Sequence, residues 1–189
     1  MAHHRCWCLI HGEHSRLASS DWRFSCINNE KNFRTVWTEL SREFPEVFNH
    51  CAEQTLWNTA RDSEMQRPLT SVETIRKEQG ISHEQIAEDR LWNKRPDGIA
   101  FKMPTDTKSG VICLLEFKCM SDVTSHYIVR TKSVTMTRYE SLHSVLGKVM
   151  QRSGWVVHQH SFIAGARSLN VTICIRNTHL GLGFTRETV

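Results

Sequence analysis

Several large protein classes are excluded by what this chain lacks. No apolar run approaches the ~18 residues that a membrane span requires. The opening MAHHRCWCLIHGEH is too polar and too rich in His to read as a secretion signal. No internal repeat or low-complexity tract occurs, nor any basic tail or arginine-rich arm. The seven cysteines, an odd number without regular spacing, form no disulfide framework and fit a reducing compartment, nucleus or cytoplasm. In such a compartment the sequon Asn170-Val171-Thr172 has no role.

What is present suits an ordinary folded domain. A length of 189 residues with 39% hydrophobic content predicts one domain with a normal core. We divide the chain into a poorly defined segment, 1–30, and a single domain over 31–189. The net charge of +4 is unevenly spread: residues 121–189 hold eight Lys and Arg against three Asp and Glu, leaving sixteen against seventeen before them. A basic excess on one part of a chain suits a polyanionic partner, although a solvated basic face explains it equally. Cys6, Cys8, His11 and His14 crowd soft metal-ligand types together, with Cys26 following. Their spacing is tighter than structural zinc frameworks, where a folded segment separates two ligand pairs, so incidental residues of a terminal segment explain them better.

From Asn32 the pattern turns helical. Phe33, Val36, Trp37, Leu40 and Phe44 recur at spacings of three and four, Pro45 interrupts, and Val47, Phe48, Cys51 and Leu56 resume the face. The aromatic residues Trp37, Phe44, Phe48 and Trp57 are read as core on that periodicity. RDSEMQRPLTS is a polar connection, followed by two short helices: SVETIRKEQ, ended by Gly80, and SHEQIAEDRLW, with Ser82 as N-cap and Gln85 completing a capping box. Further on, Thr137 to Glu140 reads as a second capping box opening a helix, with Tyr139, Leu142, Leu146, Val149 and Met150 on one stripe and Gly154 at its end. Arg138, Lys148 and Arg152 lie off that stripe. The strand WVVHQHSFI follows, placing His158 and His160 on one face as solvent-facing residues or ligands. The tail VTICIRNTHLGLGFTRETV offers an edge strand.

The most informative stretch is RPDGIAFKMPTDTKSGVICLLEFKC, residues 95–119. VICLLEFKC is a nearly continuous apolar run, as expected for a strand covered on both faces. Alternation puts Ile112, Leu114, Glu116 and Lys118 on one face and Cys113, Leu115 and Phe117 on the other. GIAFKM is a second strand, with Asp97 in the parity of Ile99 and Phe101. Turn residues Pro104, Asp106, Ser109 and Gly110 lie between them. The midpoint of Asp97 and Glu116 falls at 106.5, inside that turn, so a hairpin sets Asp97 across from Glu116 to Lys118, within about one residue of register. Burying charge costs several kcal/mol unless it is compensated. Two carboxylates and an ammonium around one point can hold a divalent cation and position water. A plainer reading makes Glu116 and Lys118 a same-face ion pair at a strand end, with Asp97 capping a turn after Pro96.

Pro96-Asp97 followed by Glu116-Phe117-Lys118, with a hydrophobic strand leading into the second half, resembles the PD-(D/E)XK nuclease superfamily. The resemblance spans about residues 84–167. It implies a restriction-endonuclease-like α/β core, a central mixed β-sheet flanked by helices, here with an N-terminal helical extension. It further implies Asp97 and Glu116 as ligands of a metal, Mg²⁺ or Mn²⁺ rather than structural Zn²⁺, and Lys118 as the residue that orients or activates water. Arg167, just after the last strand, and Arg138, on the preceding helix, are the substrate-contact candidates. Some members carry an extra acidic residue on the helix before the metal-binding strands, for which Glu84 and Glu88 are the positions here. The superfamily order is α-β-β-β-α-β with Pro-Asp at the second strand. The sequence shows no first strand: only Arg90 to Arg95 separates the predicted helix from Pro96.

Three functions follow as expectations. The first is a metal-dependent phosphodiesterase, an endonuclease-like hydrolase acting on nucleic acid, DNA ahead of RNA, with no membrane partner and an oligomeric state, homodimer included, left open. Domains of this kind also occur in mobile-element proteins. The second is a non-cleaving nucleic-acid-binding or protein-interaction module on the same fold. A zinc-stabilised interaction protein organised by Cys6 and Cys8 is a third.

Overall fold

Strand and helix signals combine into a mixed α/β arrangement in the computed structural model, which describes residues 22–26, 31–120 and 126–165. The order is β1 (Trp22–Cys26), α1 (Phe33–Glu43), α2 (Pro45–Phe48), α3 (Glu53–Gln66), α4 (Ser71–Glu78), α5 (His83–Trp92), β2 (Gly98–Lys102), β3 (Gly110–Met120), α6 (Tyr127–Met150) and β4 (Trp155–Gly165). The four strands form one sheet in the order β1-β2-β3-β4. β1 and β2 are antiparallel, as are β2 and β3, whereas β3 and β4 run parallel. A parallel pair needs a long crossover, and α6 supplies it. Among the described residues no helix is long and apolar enough to cross a membrane.

Two expectations are corrected by this order. The first strand exists, but it lies at 22–26, ahead of every helix among the described residues, and pairs with β2 from Trp22↔Lys102 to Cys26↔Gly98. Helices α1 to α5 are therefore an insertion between the first two strands, not an extension in front of the sheet. Five residues are too few to show a period, so this strand becomes recognisable only through its partner.

Local chemistry explains most helix boundaries. The Asn32 side chain accepts the Thr35 N–H at 3.0 Å, starting α1, and Pro45 opens α2 where its missing N–H costs nothing. Thr70 and Glu73 form a reciprocal capping box at α4. Ser82 caps α5 through the Gln85 N–H, but the Gln85 side chain turns forward to Asp89 at 3.1 Å and completes no box. α6 begins at Tyr127, ten residues before the expected start. Thr137 is a mid-helix residue whose hydroxyl donates to the Ser133 carbonyl at 3.1 Å. Gly154, at φ +78°, takes the left-handed turn into β4.

The sheet face carrying Ile99, Phe101, Ile112 and Leu114 packs into the main core with α1, α2, α3, α5 and α6. Phe44 and Phe48 both meet the Phe101 ring edge to face, with centroids 4.7 and 5.6 Å away. Each such pair contributes about 0.5–1.5 kcal/mol beyond its buried area. The helical aromatics are thus packing residues. On the opposite face Ala100, Cys113, Leu115 and Phe162 form a second buried cluster.

Candidate active site

Hairpin register decides where the charged residues go. Gly98 pairs with Leu115 and Lys102 with Val111, and the ladder ends at a bridge between Thr105 and Lys108. The turn therefore centres on Asp106 and Thr107, as turn chemistry and strand parity predict. One residue beyond the Gly98–Leu115 pair, Asp97 arrives opposite Glu116, and the Phe117 N–H donates to Asp97 Oδ2 at 2.6 Å.

Glu116 is only 2% exposed. Its Oε1 takes the ammonium of Lys118, which sits on the same strand face and keeps partial access to solvent. Its Oε2 is buried and has no hydrogen-bond partner among the described residues. Burial is the main cause that raises this carboxyl above its ordinary range. The Lys118 ammonium works against that rise, and the charge of Asp97 works with it. An unpaired buried oxygen costs about 1–3 kcal/mol, and more when charged.

Tyr139 of α6 stands beside this carboxylate. Its hydroxyl donates to the Arg95 carbonyl at 2.8 Å, tying α6 to the segment that leads into Asp97, and it also lies close enough to Glu116 to oppose the rise of that carboxyl. Burial and then the nearby Glu116 hold the phenol well above its usual titration range. Across the parallel pair, Ser161 is in register with Glu116, and its Oγ is likewise buried without a partner. Register partners in neighbouring strands share a face at about 4.8 Å separation. Glu116 and Ser161 thus share one side of the sheet on neighbouring strands, each with a buried oxygen that has no partner among the described residues.

Magnesium takes one or two carboxylates and keeps several waters. A site of Asp97 and Glu116, with one buried oxygen lacking a donor, fits such an ion. Among the described residues no group of three or more His, Cys, Asp or Glu side chains gathers to hold a metal.

Other candidates fall differently. Arg138 is exposed on α6, its guanidinium 5.5 Å from the Tyr139 ring centroid. Glu84 is exposed, and Glu88 ion-pairs with Arg34 at 3.4 Å; no contact brings either to Asp97. His158 and His160 pair with Cys113 and Leu115, on the face opposite Glu116, so they cannot join the site. Arg167, the Cys6, Cys8, His11 and His14 cluster and the tail from 171 onward lie outside the described residues.

Tyr139 and Ser161 escaped the sequence reading. Tyr139 lies on an apolar helical stripe and reads there as core. Ser161 becomes noticeable only once the β3–β4 register is known.

The sequence matches no protein-family model, and no characterised protein or solved structure shows significant similarity to it.

Proposed function

We propose that this protein is a divalent-metal-dependent nuclease that hydrolyses phosphodiester bonds in nucleic acid, DNA ahead of RNA. The observation that carries this reading is the opposition of Asp97 and Glu116 across the hairpin, with Lys118 ion-paired to Glu116 and Glu116 Oε2 buried unpaired. Three antiparallel strands, a helix and a parallel fourth strand, with Pro96-Asp97 at the entry to the second, support a restriction-endonuclease-like core.

Asp97 and Glu116 would hold Mg²⁺ or Mn²⁺. When bound, such an ion supplies Lewis acidity toward a phosphoryl oxygen and acidifies water. Lys118, a third exposed, presents its ammonium to a water approaching the phosphorus and offsets negative charge on the pentavalent transition state. Tyr139, anchored on Arg95, limits the swing of Glu116. Two carboxylates so close repel each other unless a cation lies between them.

A second reading, a non-cleaving nucleic-acid-binding or protein-interaction module, draws on one observation. The Phe117 N–H and the Lys118 ammonium each compensate a carboxylate, so the pair can stand without an added ion. Incubation with supercoiled plasmid, single-stranded DNA and RNA, with and without Mg²⁺ or Mn²⁺, separates the two. Cleavage that requires the ion and disappears in Asp97→Ala and Lys118→Ala is expected. Cleavage that persists in both variants, or binding without cleavage under every ion condition, rejects the nuclease reading.

A further inference from the structure

Lys94 lies three residues before Asp97, and its ammonium donates to the Arg138 carbonyl at 3.0 Å. Among the described residues it has no carboxylate ion-pair partner. Three guanidinium groups, those of Arg67, Arg90 and Arg138, face it, with Glu64 as the acidic neighbour. Burial and these cations together pull its ammonium below the ordinary lysine range.

The carboxylates nearby are already committed. Glu73 receives two Arg90 N–H bonds at 2.8 Å, and Arg90 also donates to the backbone carbonyls of Glu64, Arg67 and Pro68. Glu64, 1% exposed, pairs with Arg67 at 3.3 Å. Once these pairs are set aside, two cations of this cluster have no carboxylate ion-pair partner among the described residues, Lys94 and Arg138. Arg138 lies over the Tyr139 ring, and Tyr139 lies beside Glu116. Lys94 and Arg138 therefore meet where the segment leading into Asp97 lies against α6, one residue along the helix from the Tyr139 that neighbours Glu116.

A polynucleotide brings a regular row of phosphates, and lysine and arginine at a fixed offset from the reacting phosphate set its register. We propose that Lys94 and Arg138 bind the phosphate next to the one that reacts at the Asp97–Glu116 site, so that the substrate is a polynucleotide chain and not a single phosphate ester. This subsite rests on the nuclease reading for its position. It is tested by binding alone.

In an Asp97→Asn background without divalent ion, fluorescence anisotropy with labelled single- and double-stranded DNA oligonucleotides gives affinity across about 50–200 mM salt. The Lys94→Met, Arg138→Gln double variant is expected to bind about tenfold more weakly, with a salt slope shallower by about one to two. The exposed Arg138→Gln single variant carries the test if Lys94→Met melts early, with a slope shallower by about one. Lys148→Gln, Arg152→Gln, two exposed basic residues toward the other end of α6 and just beyond it, serves as control. Unchanged affinity in the double variant, or an equal loss in the control, overturns the subsite. Inorganic phosphate that binds as tightly as the oligonucleotide at equal phosphate concentration overturns the polynucleotide assignment. Because binding is read without cleavage, failure of metal-dependent hydrolysis counts against the nuclease reading and leaves this measurement intact.

Discussion

Asp97 Oδ2 accepts the backbone N–H of Phe117 at 2.6 Å, so the first carboxylate of the site is pinned to the strand that carries the second. The bond fixes the approach of Pro96-Asp97 to β3 and leaves the other carboxylate oxygen of Asp97 for chemistry. A structural duty and the proposed catalytic one are therefore joined in one side chain.

Substitutions at Asp97 separate those duties. Asp97→Ala removes the acceptor of a partly buried N–H and is expected to cost about 1–3 kcal/mol in urea unfolding. Asp97→Asn keeps a carbonyl acceptor and should unfold close to wild type. Its plasmid cleavage should nevertheless fall by about 100-fold or more, the scale on which a single charge-stabilising group acts. An Asn variant with full activity would show that the charge of Asp97 is not used.

Glu116 makes the opposite prediction about stability. Its carboxyl titrates above the ordinary range because the folded chain buries it. A carboxyl raised on folding favours the protonated form, so its contribution is fully favourable below the unfolded pKa of about 4.3 and is lost as pH rises through the folded value. Glu116→Gln should therefore melt at a higher temperature than wild type at neutral pH in chelator. The gain should vanish below about pH 4. Cleavage should be lost, and Mn²⁺ should raise the melting temperature of wild type but not of the variant. A neutral-pH melt lower than wild type would mean that the ion pair with Lys118 outweighs burial.

Glu73 and Arg90 give the reverse pH dependence. The Arg90 hydrogen bonds hold the Glu73 carboxyl down to about 2. A depressed carboxyl contributes stability above its unfolded pKa and loses it as pH falls through the folded one. The loss should therefore run from about pH 4.3 down toward pH 2 in wild type and be absent in Glu73→Gln. Arg90→Ala should cost more than Glu73→Gln, since it also strips donors from the carbonyls of Glu64, Arg67 and Pro68. A pH series of thermal melts on the three proteins measures both effects.

Gly110 is expected to tolerate no side chain. A Cβ at that position would lie 2.5–2.8 Å from ring carbons of Trp155, its register partner across the parallel pair. Trp155 is 3% exposed and has no room to retreat. Gly110→Ala should cost about 1–3 kcal/mol through overpacking and shift β3 against β4. Part of the stability should return in Gly110→Ala, Trp155→Leu. Equal stability of Gly110→Ala and wild type would contradict the packing described.

The sequence carried the hairpin to the residue, because parity and turn chemistry each constrained it and agreed on its centre. Buried apolar positions of α1, α5 and α6 were equally readable from spacing. The start of α6 was not: YIVRTKSVTM is rich in β-branched and hydroxyl residues with weak helix preference, and Val129, Val134 and Met136 point to solvent, so no apolar stripe marks it. Buried Thr131 and Thr135 show that packing holds this half of the helix. Lys94 was missed for a different reason. A single lysine between Asn93 and Arg95 looks like surface, and its significance depends on groups brought from α3, α5 and α6.

Inserting five helices between β1 and β2 has a kinetic consequence. Paired residues of these two strands are more than seventy positions apart in the chain, whereas the β2–β3 hairpin closes over a two-residue loop. Long loops close late, because their entropy is lost before any contact rewards it. The hairpin that bears Asp97 and Glu116 should thus form early in refolding, and the edge strand should dock onto it last. Substitutions in 22–26 would then hasten unfolding while leaving the refolding rate nearly unchanged.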